Sequence, residues 1–201
     1  MRKSLIIAGI AATALAVALL AWRLADRPSD EAVQAVPQED CAVADVEYFL
    51  QNDPEWASDM LGKSQYRMNG SGCLVSCIAS SLTAQGFDID PGLLNAAFTD
   101  HGVYNSEGEI LWDKISEAVP GVRAELPARA DADKLEDAVA QGFLPIVKVK
   151  YMGTGYQHWV MLIGAENGDY LCMDPLNTEK EPLPLSAHGG VIYRFRIVTL
   201  E

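Results

Sequence analysis

Histidine and cysteine are both scarce in this chain, with three and four residues among 201. A structural zinc site needs a full set of nitrogen and sulfur ligands, usually in paired short spacings. Cys41, Cys73, Cys77 and Cys172 offer one C-x3-C and no second pair, and His101, His158 and His188 are scattered. No metal and no cofactor is therefore expected. Basic residues are also few. Lys and Arg number 15 against 28 Asp and Glu, giving a net charge of −13. Arg2, Lys3, Arg23 and Arg27 fall in the first 27 residues against Asp26 alone. That leaves 11 basic and 27 acidic side chains over residues 28–201, a balance near −16. A body so acidic repels nucleic acid and anionic lipid surfaces, which sets nucleic-acid binding aside. Internal repeats and low-complexity tracts are lacking as well, so solenoids and arrays are excluded.

Hydrophobic residues make up 49% of the chain, enough for a packed core. Residues 4–22, SLIIAGIAATALAVALLAW, carry no charge. About 20 such residues in a helix span the hydrocarbon core of a bilayer. Arg2 and Lys3 precede them as in a secretory signal, but no clean small-x-small cleavage site followed by a polar residue is found. Trp22 and Arg23 instead read as an interfacial anchor. The sequence thus favours an uncleaved transmembrane anchor over residues 1–24, with a cleaved signal peptide as the alternative. Either puts the folded body outside the cytoplasm. Residues 25–45, with two prolines and many acids, read as a flexible stalk. Residues 46–201 form the folded domain. An even number of cysteines in an exported chain permits two disulfides. If Cys41 and Cys172 pair at all, Cys73 is expected to stay free.

The first half of that domain is helical in pattern. A helix over 73–85 begins after Gly-Ser-Gly and stops at Gly86. Asp90-Pro91 supplies an N-cap and a proline at the first helical position for residues 91–100. Ser106 to Glu109, SEGE, reads as a capping box ahead of ILWDKISEAV. Another short helix covers 132–141. The second half is strand-like: FLPIVKVKY (143–151), QHWVMLIGAE (157–166), DYLCMD (169–174) and VIYRFRIV (191–198). Asn167-Gly168 between two such runs is a type I′ hairpin signal. Helices followed by antiparallel strands define an α+β chain.

The chemistry begins at Cys73. The thiolate is the reactive form of cysteine, and the free N–H groups and dipole of a helix start favour an anion. The unpaired Cys73 N–H could also receive a developing oxyanion. Burial as a small core residue is the competing reading, and Cys77, one turn on, fits it better. A nucleophilic cysteine needs a base, and His158 opens the strand HWVMLIG after a Gly-Thr-Gly loop. His101 at a helix end and His188 in the turn SAHGG need no function, and His188 is expected to be exposed. Asp174, at the end of the strand paired with that of His158, is the candidate to orient the imidazole. In a plain two-residue hairpin 158 lies opposite 177, so a bend near Pro175 has to bring the carboxylate in.

Taken in order, WASDMLGKSQYRMNGSGCLVSCIASSLTAQG, GFLPIVKV, HWVMLIG and YLCMDP resemble the bacteriocin-processing-type cysteine peptidases, cysteine peptidase family thirty-nine, and within it the exported peptidase-like branch. The resemblance covers residues 48–198. It implies a papain-like fold, a peptide or protein substrate, and a triad of Cys73 as nucleophile, His158 as base and Asp174 as orienter. The family's oxyanion glutamine has its nearest candidate in Gln65, eight residues before Cys73; the usual spacing of six falls on Arg67. No transporter is attached, so leader-peptide cleavage is not carried over. The alternatives are a catalytically inactive anchored binding or scaffold domain of the same fold, and a cell-wall peptide hydrolase.

Overall fold

The computed structural model describes residues 32–200. The expected anchor at 1–24 and the start of the stalk lie outside them. Among the described residues no helix is long and apolar enough to cross a membrane. The chain runs β1 (Val33–Gln34), α1 (Met68–Ser71), α2 (Cys73–Ala84), α3 (Pro91–Asp100), a 3-10 turn (Trp112–Lys114), α4 (Ile115–Ala118), β2 (Val122–Glu125) and α5 (Ala132–Ala140). The sheet half follows: β3 (Ile146–Lys150), a 3-10 turn (Tyr151–Gly153), β4 (Gln157–Glu166), β5 (Asp169–Met173), β6 (Leu183–Pro184), a 3-10 turn (Leu185–His188), β7 (Val191–Ile192) and β8 (Arg194–Leu200). The main sheet is antiparallel with order β2-β8-β3-β4-β5-β6, and β1 pairs separately with β7. This is the α+β arrangement that the order of elements implied, and it agrees with the papain-like fold that the resemblance implied.

Alternation along the strands gives the sheet two apolar faces. Ile146, Met161, Ile163, Met173 and Val198 pack with Val75, Cys77, Ile78 and Leu82 of α2 and with Leu94 and Phe98 of α3. Val147, Val149, Val160, Leu162, Cys172 and Phe195 face the other way, toward Leu135 and Ala138 of α5 and toward Leu185. Each fully buried aliphatic side chain contributes about 1.5–3 kcal/mol to this framework.

Several local signals act as the sequence indicates. Asp90 accepts from Leu93 N at 2.8 Å, and Asn167 and Gly168 take φ of 55° and 76°, as a type I′ turn requires. Two do not. The SEGE segment caps no helix: Asn105 Oδ1 accepts the N–H groups of Glu107 and Glu109, folding a turn that a Tyr104–Ile110 bridge closes. An Asn side chain competing for backbone donors won over the box. The flexible stalk expected over 25–45 is also corrected for its described part. Val33 and Gln34 pair with Ile192 and Val191. Cys41 N donates to Ala165 O at 2.9 Å and Ala44 N to Ile163 O at 2.7 Å. The small residues Ala42 and Ala44 let this backbone lie close against β4, so the acidic composition hid a docked strap.

Candidate active site

Helix α2 begins abruptly at Cys73 because the single turn α1 ends at Gly72. Gly72 N donates to Met68 O at 2.8 Å. A Cβ on Gly72 would stand 2.6 Å from Met68 O and 2.8 Å from the Met68 thioether, so only glycine fits the junction. In an unbroken helix the Cys73 N–H would donate to the Asn69 carbonyl four residues back. The helix is interrupted at Gly72, and the Asn69 carbonyl accepts from Gln51 Nε2 at 2.8 Å. The break places Cys73 at the first position of a new helix, where backbone N–H groups lack the usual intrahelical partner.

His158 reaches the site from the start of β4. Its Nε2 lies 2.6 Å from Asp174 Oδ1, with both side chains buried. With Nε2 committed to the acid, Nδ1 is the nitrogen left to face Cys73, whose thiol favours the charged ring. Burial alone would pull the imidazole down. Hydrogen bonds to Asp174 and Cys73 outweigh it and hold the ring at about 9. Asp174 shows the mirror case: burial pushes its carboxyl up, but hydrogen bonds from His158 and the Leu176 N–H, with the His188 imidazole close by, keep it well below the usual range. Leu176 N donates to Oδ1 at 2.8 Å, an Asx turn that Pro175 completes.

How Asp174 reaches the His158 face is a matter of register. Residues directly opposite on antiparallel strands share a face. From Glu166↔Asp169, an unbroken hairpin would put Asp174 opposite Met161, on the α2 face and away from His158. The ladder shifts by one residue between Leu162 and Gly164, giving Leu162↔Cys172 and Met161↔Met173. The next position carries Asp174 opposite Val160, on the face of His158. The bulge at Ile163 thus does what a bend at Pro175 was expected to do. It is fixed from outside the hairpin. The Ile163 carbonyl accepts from Ala44 N, and a Cβ at Gly164 would lie 2.7 Å from Val43 Cα.

The remaining sequence candidates divide. Cys77 is buried and donates through Sγ to Trp159 O at 3.5 Å. Burial, with the charges of Cys73 and Asp174 adding, pushes its thiol well up, so it is a packing residue. Cys172 is likewise raised by burial. All four cysteines are free, so Cys41 and Cys172 form no pair. Gln65 stands exposed on the loop before α1. The glutamine that the fold brings to the site is Gln51, which sequence reading missed. It is buried, its backbone N–H donates to Pro175 O at 3.0 Å and its side chain holds Asn69. The buried Trp56 just after it, Nε1 bonded to Leu50 O at 2.8 Å, was the available signal that this stretch is core rather than approach. His188 is corrected too: it is 1% exposed rather than open to solvent. The Tyr151 and Tyr156 rings stack at 5.4 Å, and the Tyr151 ring meets His158 edge-on at 5.5 Å.

The fold is papain-like in class, with Cys73 opening a helix and His158 near the start of a strand. No family model matches the chain, and no curated protein matches it in sequence. Among solved structures, the crystal structure of a candidate C39-like peptidase from Bacillus anthracis matches with a TM-score of 0.56 at 16% identity, over 82% of this chain and 99% of that one. At that identity the likeness shows the fold, which is the C39-like peptidase fold.

Proposed function

We propose that the chain is a cysteine peptidase acting outside the cytoplasm, with Cys73 as nucleophile, His158 as acid and base and Asp174 as orienter. The observation that carries this reading is the buried Asp174–His158 pair, with Cys73 near enough to favour the charged imidazole. Cys73 gives its proton to His158 Nδ1, and Sγ attacks the amide carbon while the carbonyl π pair moves onto oxygen. The Cys73 N–H meets that oxyanion, and the buried amide of Gln51 supports the same corner in place of Gln65. The intermediate collapses, the C–N bond breaks, and the leaving amine takes the proton from His158. Water then loses a proton to His158 and attacks the thioester, which releases Sγ.

The uncharged run at 4–22 supports an anchored or exported location, with the acidic domain outside the membrane; protease accessibility in intact cells tests it. The peptidase reading is tested with a labelled iodoacetamide at near-neutral pH, followed by a mixed peptide library. Rapid labelling of Cys73, lost in His158→Ala, and library cleavage lost in Cys73→Ala are expected. A folded, reduced sample that neither labels nor cleaves overturns the reading and leaves the inactive binding domain.

A further inference from the structure

His188 is the third member of the buried polar cluster, and the proposed chemistry does not use it. Its Nε2 lies 3.4 Å from Asp174 Oδ2, close enough for charge–dipole attraction although its alignment falls short of a full hydrogen bond. Among the described residues no other donor reaches that oxygen, since His158 and Leu176 both bind Oδ1. On its other side, Nδ1 accepts the Met152 N–H at 3.2 Å. A nitrogen that accepts carries no proton, so the neutral ring must hold its hydrogen on Nε2, facing the carboxylate. The tautomer is set by the backbone.

The surroundings fix the ring in place. Gly189 and Gly190 take φ of 84° and 67°, and Gly189 comes so close to Gly153 that a Cβ there would meet Gly153 Cα at 3.2 Å. Gly190 O accepts both Ala35 N at 2.9 Å and Gln34 Nε2 at 3.0 Å, so the strap holds this turn from outside. Met152, whose N–H the ring receives, sits at φ 49°, a left-handed conformation that costs a non-glycine residue about 1–2 kcal/mol. It lies between Tyr151, whose ring is 5.8 Å from that of His188, and the loop to Tyr156, which is 62% exposed at the rim of the site.

We propose that His188 is a positioning residue: a second imidazole that holds the free oxygen of Asp174 and ties the acid to the 151–156 loop. The role rests on Asp174 being the orienter of His158. The catalytic acid is then gripped at both oxygens, and the loop cannot move without loosening one grip.

Proton and nitrogen NMR of the purified full chain tests this without a substrate. In the wild type, His188 is expected as the tautomer protonated on Nε2, and the His158 Nε2 proton bound to Asp174 should appear at low field, assigned by its loss in His158→Ala. His188→Gln keeps a donor near the position of Nε2 and should keep the low-field signal. His188→Asn keeps the acceptor for Met152 but loses that donor, and the signal should broaden or vanish. Iodoacetamide labelling of Cys73 should slow about tenfold in His188→Asn and largely recover in His188→Gln. The opposite tautomer in the wild type overturns the inference, as do two variants that behave alike while folded. Absence of peptide cleavage with this NMR pattern intact would overturn the peptidase reading and leave the His188 contact supported.

Discussion

The two ends of β4 are held in opposite ways. At its start, His158 is buried and bonded to a buried acid, with aromatic rings against it. At its finish, the Asn167–Gly168 turn lies on the surface, where Asp40 accepts the N–H groups of both turn residues at 3.1 Å. One end carries titratable groups shifted far from their ordinary values; the other carries an ordinary turn with a carboxylate cap. Between them sits the bulge at Ile163, and its parity decides which face of the sheet the acid at the far end of β5 will occupy. The comparison teaches that the site is assembled from outside itself. A strap that touches no reacting atom fixes the bulge, and the bulge aims Asp174.

The largest expected effect breaks the near end directly. Asp174→Asn should retain the fold yet lower peptide cleavage by about 10⁴, the cost of losing the orienting acid in a triad, measured as kcat/KM beside a far-UV spectrum. Next comes the bulge. Gly164→Val places a branched side chain against Val43 Cα and Ala42 O. It should cost about 1–3 kcal/mol by denaturant unfolding, with activity falling more than stability because the strap and register shift together.

The pH dependence sharpens the contrast. His158 is held at about 9, above its ordinary 6.5. Its contribution to stability is therefore complete below about 6.5 and disappears as pH rises through about 9. Asp174 is held below its ordinary 3.8, so its contribution is present above that value and is lost as pH falls through its lowered folded value. The difference in melting temperature between wild type and Asp174→Asn should be greatest between about pH 4 and 6.5 and should shrink toward pH 9. Asp40→Ala, at the far end, is the smallest change. It removes two turn acceptors on the surface and should cost about 0.5–1 kcal/mol, leaving Cys73 labelling unaltered.

Much of this was legible in residues. Gly-Cys before an apolar run, Asp90-Pro91 and Asn167-Gly168 each encode their structure locally, through a backbone demand or a cap, and α2, α3 and the β4–β5 hairpin follow. The α+β order came from the same signals. What could not be read depends on partners distant in sequence. The Asn167-Gly168 signal fixes a turn but not a bulge four residues away, because the Ile163 carbonyl is taken by Ala44. His188 looks exposed in SAHGG because two glycines mark a turn; its burial comes from Gly153 and Gln34 on other segments. Gln51 lies 22 residues before Cys73, and only folding brings its amide to the carbonyl of Asn69. Gln65 was nearer in sequence and stands exposed on its loop.

The central claim is that the imidazole at 158 sits between a sulfur and a carboxylate, and titration of that ring by NMR tests it most directly. The wild type should titrate at about 9, and Cys73→Ala and Asp174→Asn should each draw the value down toward 6.5. A ring that titrates near 6.5 in the wild type, and does not respond to either substitution, would contradict the account.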